Sequence, residues 1–304
     1  MSEVSIIIVN YNTLDITLEA IASIEKSYPK EVIHGEYEVI VVDNASEGGS
    51  LRALQDYQKK TKIKSFHIVD TKKNVGFAAG NNKGILFAKG RYVLFLNPDT
   101  IMYPRTLPTL VEFMDTHQDA GAVTCQVNIP NGQIDQASHR GFPTPWNAFT
   151  HFSGLEKLFP HSKLFAGYTQ GWEDMKKIHT VPAVVGAFLL TRREAGEQIG
   201  WWDEDYFFYG EDLDFCYMLY EKGWKIYYVP RVSILHYGGV SSGIKKHSQH
   251  ITTADTKRRE MVQYHRFEAM KIFYKKHYLQ TYPKLVTWLV FKGIEYLHWK
   301  NTSK

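Results

Sequence analysis

Only two cysteines, Cys125 and Cys216, occur in 304 residues. Two are too few for a disulfide framework and they show no metal-ligand spacing, so a reducing, cytoplasmic setting is the default. Glycine and proline are modest, at 22 and 11 residues, which excludes collagen-like and low-complexity chains. Long apolar runs are missing as well. The longest one near the end, Leu285 to Leu297, is interrupted by Lys292 and Glu295 and falls short of the roughly 20 residues a bilayer needs. The N-terminus starts with an acid followed by a short β-like run, so no targeting segment is expected. After the first apolar run comes Asn10-Tyr11-Asn12-Thr13, with no G-x-G-x-x-G and no Walker lysine. A dehydrogenase or P-loop reading loses its main support.

Aromatics are abundant, with 7 Trp, 19 Tyr and 17 Phe, and this richness excludes a disordered chain. The net charge of +4 conceals a division. Residues 245–304 carry 13 Lys and Arg against 4 acids, a net of +9, which leaves 23 basic and 28 acidic residues, a net of −5, in residues 1–244. A basic tail follows an acidic body. Such a tail reads either as a solvated helical face or as a contact for an anionic membrane surface. Nucleic acid is not an expected partner, because no helix-turn-helix, RNA-recognition or zinc-finger signature accompanies the basic stretch.

Val4–Val9 and Val39–Val42 are continuous apolar, β-branched runs, the pattern of strands buried on both faces. Between them Leu14, Leu18, Ile21 and Ile24 recur at helical spacing, with Thr13 as cap. Helices near 47–60 and 77–89 alternate with strands near 64–69 and over Tyr92–Leu96, which indicates a doubly wound α/β domain. Beyond Met102 the alternation loosens. A helix near 105–117 and a strand near 121–127 lead to a hairpin signal at Asn131-Gly132. Residues 141–176 are aromatic and poorly periodic, as in a functional loop. Ile178–Leu190 reads as a strand, Asp212–Lys222 as a helix, and Lys225–Val229 and Val232–Leu235 as two short strands. The expectation is one composite domain with a helical tail.

In an open parallel sheet, ligands collect beyond the carboxyl ends of the strands. Asn10, Tyr11, Asp43, Asn44, Asn97 and Asp99 stand at such ends and should converge on one crevice. Asp43 suits a hydrogen bond to a ribose or a base, and equally an Asx turn. The glycines of Asn74-Val75-Gly76-Phe77-Ala78-Ala79-Gly80-Asn81 precede a helix and allow close backbone approach to a phosphate or sugar. A cation bridging two phosphates needs only one or two protein oxygens, which makes Asp99 a candidate metal ligand. His236 is a second candidate, against the ordinary structural role of a lone histidine. Glu211 and Asp212 lie in an aromatic run, where partial desolvation suits a general base; acids at a helix start also serve as simple dipole charges.

These pieces resemble, in order over most of residues 4–240, the inverting glycosyltransferases of family 2. The segments are Val-Ser-Ile-Ile-Ile-Val-Asn-Tyr-Asn at the start, Val-Ile-Val-Val-Asp-Asn-Ala-Ser at 39–46, Asn-Val-Gly-Phe-Ala-Ala-Gly-Asn-Asn at 74–82, Leu-Asn-Pro-Asp at 96–99, Gly-Ala-Phe-Leu-Leu at 186–190, Phe-Phe-Tyr-Gly-Glu-Asp-Leu-Asp at 207–214 and Val-Pro…His at 229–236. The Asn-x-Gly-Phe-Ala and Asn-Pro-Asp versions are most similar to the rhamnosyltransferase-like branch. The resemblance implies a GT-A-type fold, a Rossmann-like mixed sheet, with residues 1–100 binding nucleotide sugar, 101–244 carrying acceptor and catalytic functions, and 245–304 as the tail. It implies donor contacts at Asn10, Tyr11, Asp43, Asn74, Gly76, Asn81 and Asn97. It also implies a Mg²⁺ or Mn²⁺ ion on Asp99 and His236, and catalysis by Asp212 with Glu211. Asn97 departs from the usual acidic first position of the metal motif and removes one charge there. The acceptor side is expected at Trp146, Trp172 and Trp202, with Phe149, Phe152 and Tyr168 nearby.

The implied activity is transfer of rhamnose from dTDP-rhamnose to a glycan or lipid-linked acceptor. UDP-hexose or UDP-N-acetylhexosamine transfer and non-catalytic sugar binding are the alternatives. The expected location is cytoplasmic and peripheral on the inner face of the plasma membrane. Nothing in the sequence fixes an oligomeric state.

Overall fold

The computed structural model describes residues 2–240, 243, 252 and 254–302. Its first half follows the expected alternation. Strand β1 (Val4–Asn10) leads through helices α1 (Leu14–Ser27) and α2 (Pro29–His34) to β2 (Tyr37–Asp43), then α3 (Ser50–Gln58), β3 (Phe66–Asp70), α4 (Phe77–Ile85) and β4 (Tyr92–Leu96). Strand β1 pairs in parallel with β2 on one side and β4 on the other, and β3 lies outside β2. The strand order therefore reverses at β1, with Asn10 level with Asp43 and Ile8 level with Leu96. That is the switch point at which a crevice opens.

Alternate residues of β1 feed two cores. Val4, Ile6 and Ile8 pack in one core with Ile21, Val32 and Leu107, whereas Ile7 and Val9 pack in the other with Ala78, Ala195 and Phe215. Burial on both faces is why the strand shows no polar alternation. Helix α4 lies very close to the sheet. A Cβ on Gly84 would stand 2.6 Å from Ile7 Cγ2, so a larger residue would push the helix and its preceding loop away from the crevice.

The second half adds β5 (Thr100–Ile101), α5 (Thr106–Thr116), β6 (Ala120–Asn128), α6 (Pro145–Ser153), α7 (Leu155–Leu158), β7 (His179–Thr180), β8 (Phe188–Arg192), α8 (Arg193–Ile199), α9 (Glu211–Glu221) and β9 (Lys225–His236). The mixed sheet runs β3-β2-β1-β4-β8-β6-β9-β5, with β7 beside β9. Several expectations are corrected. The two strands expected at 225–235 are one, β9, whose register against β6 jumps from Cys125↔Val229 to Gln126↔Ser233. Pro230 has no N–H for the ladder, so the residues around it bulge out. The strand expected over 178–190 is split, because Pro182 interrupts it and residues 181–187 turn toward the crevice. The 141–176 stretch contains two helices, α6 and α7. Thr144 caps α6 through the Asn147 N–H, and Pro145 occupies its first turn. At Asn131-Gly132 a tight turn forms, but it carries only one bridge, Asn128↔Ile134. Thr13 stands at the N-cap of α1 without capping it, because its hydroxyl donates to Asn10 Oδ1 instead.

The tail forms α10 (Thr256–His277) and α11 (Lys284–Thr302). Helix α10 docks on the body through Ala269, Phe273 and Tyr274, which pack with Tyr206. His277 Nε2 lies 2.6 Å from Asp214 Oδ1, which also accepts from the Tyr206 hydroxyl at 3.0 Å. Lys276 pairs with Asp203 and Asp205. Asp214→Ala would leave His277 and Tyr206 without their buried acceptor. We expect a loss of about 3 kcal/mol in thermal or denaturant unfolding, whereas Lys276→Ala, at a partly exposed pair, costs about 1 kcal/mol or less.

Candidate active site

At the end of the crevice formed by β1 and β2, the polar strand tips divide into two roles. Asn10 is fully buried. Its Nδ2 donates to Asp43 Oδ1 and Ser50 Oγ, at 2.7 and 2.8 Å, and its Oδ1 accepts from Thr13 and Thr17 hydroxyls. Its polar atoms are engaged by the protein, so the expected ligand contact at Asn10 is corrected to a scaffold that fixes Asp43. Asn81 is likewise buried, donating to Phe77 O, and does not line the cavity. Tyr11, Asn44, Asn74 and Gly76 do line it. Asn44 holds the 74–76 loop by donating to Asn74 Oδ1 and Gly76 O and accepting from the Val75 N–H. Gly76 has φ 89°, and a Cβ there would meet Phe207 O at 2.6 Å. The glycine is thus required for packing against the 207–210 loop.

A second end of the crevice is made by β5 and β9. Thr100 lies opposite His236, which brings Asp99 Oδ1 within 3.2 Å of His236 Nε2. His236 Nδ1 stands 3.3 Å from Asp135 Oδ2, and Asn97 Nδ2 is 3.5 Å from Nε2. Asp135 holds the imidazole from its Nδ1 side, so that Nε2 faces Asp99. Burial is the largest influence on Asp99 and pushes its carboxyl up, but the His236 charge and hydrogen bond and the Val240 N–H together outweigh it, and the net shift is downward. Among the described residues no cluster of three or more His, Cys, Asp or Glu side chains could hold a metal ion. One carboxylate and one oriented imidazole fit a cation whose remaining positions are filled by diphosphate oxygens and water.

Opposite lies the start of α9. Asp212 Oδ2 accepts from Arg140 Nη2 at 2.6 Å and from the Gly186 N–H at 3.2 Å. Glu211 is buried, and its Oε2 has no hydrogen-bond partner. Burial, followed by the Asp212 charge, pushes the Glu211 carboxyl upward. Asp214 points away into the α10 contact, and Glu204 accepts from Asn82, so the acidic cluster does not act as one group. Arg140 was not singled out from the sequence, since it sits in an irregular stretch 72 residues from its partner.

These ends face one cavity of about 930 Å³. Arg258 of α10 also lines it, with its guanidinium over the Tyr11 ring at 4.4 Å and a hydrogen bond to Tyr11 O at 3.1 Å. Burial lowers its pKa. The three tryptophans expected on the acceptor side are not among the lining residues. Trp202 is 2% exposed and packs against Phe77, Phe95 and Phe215. Trp146 donates to Leu164 O and Trp172 to Glu173. Phe149, Phe152 and Tyr168 reach the cavity instead.

The architecture is that of the GT-A glycosyltransferases. Solved structures that share it include a Pyrobaculum calidifontis mannosyltransferase described in complex with GDP-Man and Mn²⁺, with TM-score 0.57 and 18% identity over 88% of this chain and 63% of that one. Another is GalNAc-T7 with UDP, GalNAc and Mn²⁺, with TM-score 0.57 and 16% identity over 92% of this chain and 58% of that one. The model of glycosyl transferase family 2 matches residues 5–174, and that of glycosyl transferase family group 2 matches 92–259. The chain belongs to glycosyl transferase family 2. Among curated relatives, the rhamnosyltransferase WbbL of Escherichia coli K12 is 27% identical over 53% of this chain. The N-acetylglucosaminyl-diphospho-decaprenol L-rhamnosyltransferase of Mycobacterium tuberculosis H37Rv is 27% identical over 67% of it. The alignments span 61% and 68% of those two proteins.

A carboxyl held protonated by the fold makes stability depend on pH. Because the Glu211 pKa is raised above its unfolded value of 4.5, its contribution is fully present below that value and is lost as pH rises through the folded pKa. Glu211→Gln removes this dependence. Denaturant midpoints measured from pH 4 to 9 should fall less steeply with pH in the variant than in the parent, and parallel curves would exclude the assignment.

Proposed function

We propose that this protein is an inverting glycosyltransferase that moves rhamnose from dTDP-rhamnose onto a hydroxyl of a glycan or lipid-linked acceptor. The observation that carries the reading is one cavity lined by Asp99, His236 and the Arg140-held Asp212 together with Tyr11, Asn44 and Asn74. Family membership and the names of the rhamnosyltransferase relatives support it. Asp212 accepts the proton of the acceptor hydroxyl as that oxygen attacks the anomeric carbon opposite the leaving nucleoside diphosphate. Arg140 and the Gly186 N–H hold the carboxylate for that attack. Asp99 and His236 would hold a Mg²⁺ or Mn²⁺ ion, which would supply countercharge to a diphosphate leaving group. One displacement inverts the anomeric centre.

In this reading residues 1–244 form the transferase domain, and the tail has two tasks. Arg258 covers the donor end, and α11 faces an anionic membrane surface that carries the acceptor. Leu285, Trp288, Tyr296 and Trp299 are exposed on α11 among Lys284, Lys292 and Lys300, the mixture of an interfacial helix. No helix of the described residues is long and apolar enough to cross a membrane.

Release of nucleoside diphosphate from a panel of dTDP-rhamnose, UDP-hexoses and UDP-N-acetylhexosamines identifies the donor, and dTDP-rhamnose should give the highest rate. Asp212→Asn should reduce transfer by about 10²-fold or more with donor affinity retained; substantial remaining turnover counts against Asp212 as base. Replacing Trp288 and Trp299 together by Ser should reduce flotation with phosphatidylglycerol vesicles, and equal flotation excludes α11 as the membrane contact.

A further inference from the structure

The cavity is much larger than a nucleotide sugar and its chemistry changes along its length. On α10 the lining begins with Arg258 beside Tyr11, passes Met261 and Val262 to Arg266, and beyond Arg266 is apolar, ending with Met270, Phe273 and Tyr274. At 1.5 Å per residue that is roughly 24 Å from the cationic end to the apolar end. Helix α11 runs antiparallel to α10, with His298 stacked on Phe267 and Phe291 against Tyr274. It adds Val286, Leu289, Val290, Gly293, Ile294 and Leu297 to the lining. This stripe holds no charge and covers three turns, roughly 16 Å. Across from it Phe149 and Phe152 of α6 complete the wall. Both phenylalanines and Leu289 are about half exposed, so the apolar arm opens to the outside.

We propose that this arm, between α6 and the α10–α11 pair, seats the hydrocarbon chain of an amphiphilic acceptor whose anionic linkage lies at Arg266 and whose sugar reaches Asp212. The occupant follows from continuity. Whatever fills the arm shares one cavity with the catalytic residues, so it is part of the molecule that presents its hydroxyl there. Arg266 directly precedes the apolar stretch, which matches a phosphate between sugar and chain. A flat bilayer contact would need an outward-facing surface, but the Val286-to-Leu297 stripe faces inward to the cavity. The sugar end of this assignment rests on the transfer reading given above, whereas the chain end can be tested without transfer.

Gly293 provides the test, because a Cβ placed on it meets nothing within 4 Å. Gly293→Trp fills the arm without an initial clash and improves helix propensity. A second variant, Leu289→Gln, makes a half-exposed wall position polar at little risk to folding. Calorimetric titration of the full chain, without donor sugar, compares farnesyl diphosphate below its micellar concentration with inorganic diphosphate. The parent should bind the farnesyl compound at least about ten-fold more tightly, and both variants should lower that ratio toward unity while retaining the parent's circular dichroism spectrum. Equal affinities in the parent, or a parental ratio in both variants, overturn the proposal. An inactive parent in the donor panel would overturn the transfer reading and leave the chain-binding result intact.

Discussion

Two residue pairs between β5 and β9 hold Asp99 and His236 together. Strand β5 is only Thr100–Ile101, and it meets Leu235 and His236 at the far end of a twelve-residue strand. Without that contact Asp99 would sit at the tip of β4 with no partner from the second half of the chain. With it, Asp99, His236 and Asp135 form a buried chain of charged and polar groups. The bulge at Pro230 is part of the same constraint. It shifts the register of β9 against β6, and that shifted register brings Leu235 level with Asn128, a few residues before Asp135. A small irregularity in one strand therefore sets the position of both partners of the histidine.

The first hundred residues were legible because their signals are local. Continuous β-branched runs, amphipathic helical spacing and polar residues at strand ends each follow from a few neighbouring residues, and the parallel sheet assembles them in the expected order. Asp99 and His236 were legible for the same reason, each at the end of a readable strand. What escaped depends on partners distant in sequence. Asn10 has the residue type of a ligand contact, but Thr13, Thr17, Ser46 and Ser50 turn inward and occupy it, which only the packed structure reveals. Trp202 stands among acids and aromatics, yet Phe77, Phe95 and Phe215 enclose it. Arg140 lies in a stretch without periodicity, and its significance comes only from the return of α9 to its side. The Glu-Asp pair was legible as an acid pair; the difference between a clamped Asp212 and a buried Glu211 whose Oε2 has no hydrogen-bond partner was not, because it depends on which side chain meets the arginine.

The division of charge between body and tail has a structural use before any partner is considered. Asp203, Asp205 and Asp214 belong to the acidic body, and Lys276 and His277 of the tail meet them. Arg258 crosses from the tail to Tyr11 at the start of the chain. Attraction between the two parts thus closes one side of the cavity and fixes where α10 lies. The hydrophobic residues of the tail then separate by position. Ala269, Phe273 and Tyr274 secure α10 to the body, and the Val286-to-Leu297 stripe of α11 lines the cavity. Trp288 and Trp299 remain outside. Because α10 is anchored by buried contacts at its C-terminal end and α11 folds back antiparallel from there, the inward and outward stripes of α11 have fixed directions relative to Asp212. A helix attached only by surface charges could not hold an apolar wall in register with Asp212; the buried Asp214, His277 and Tyr206 cluster gives α11 that register.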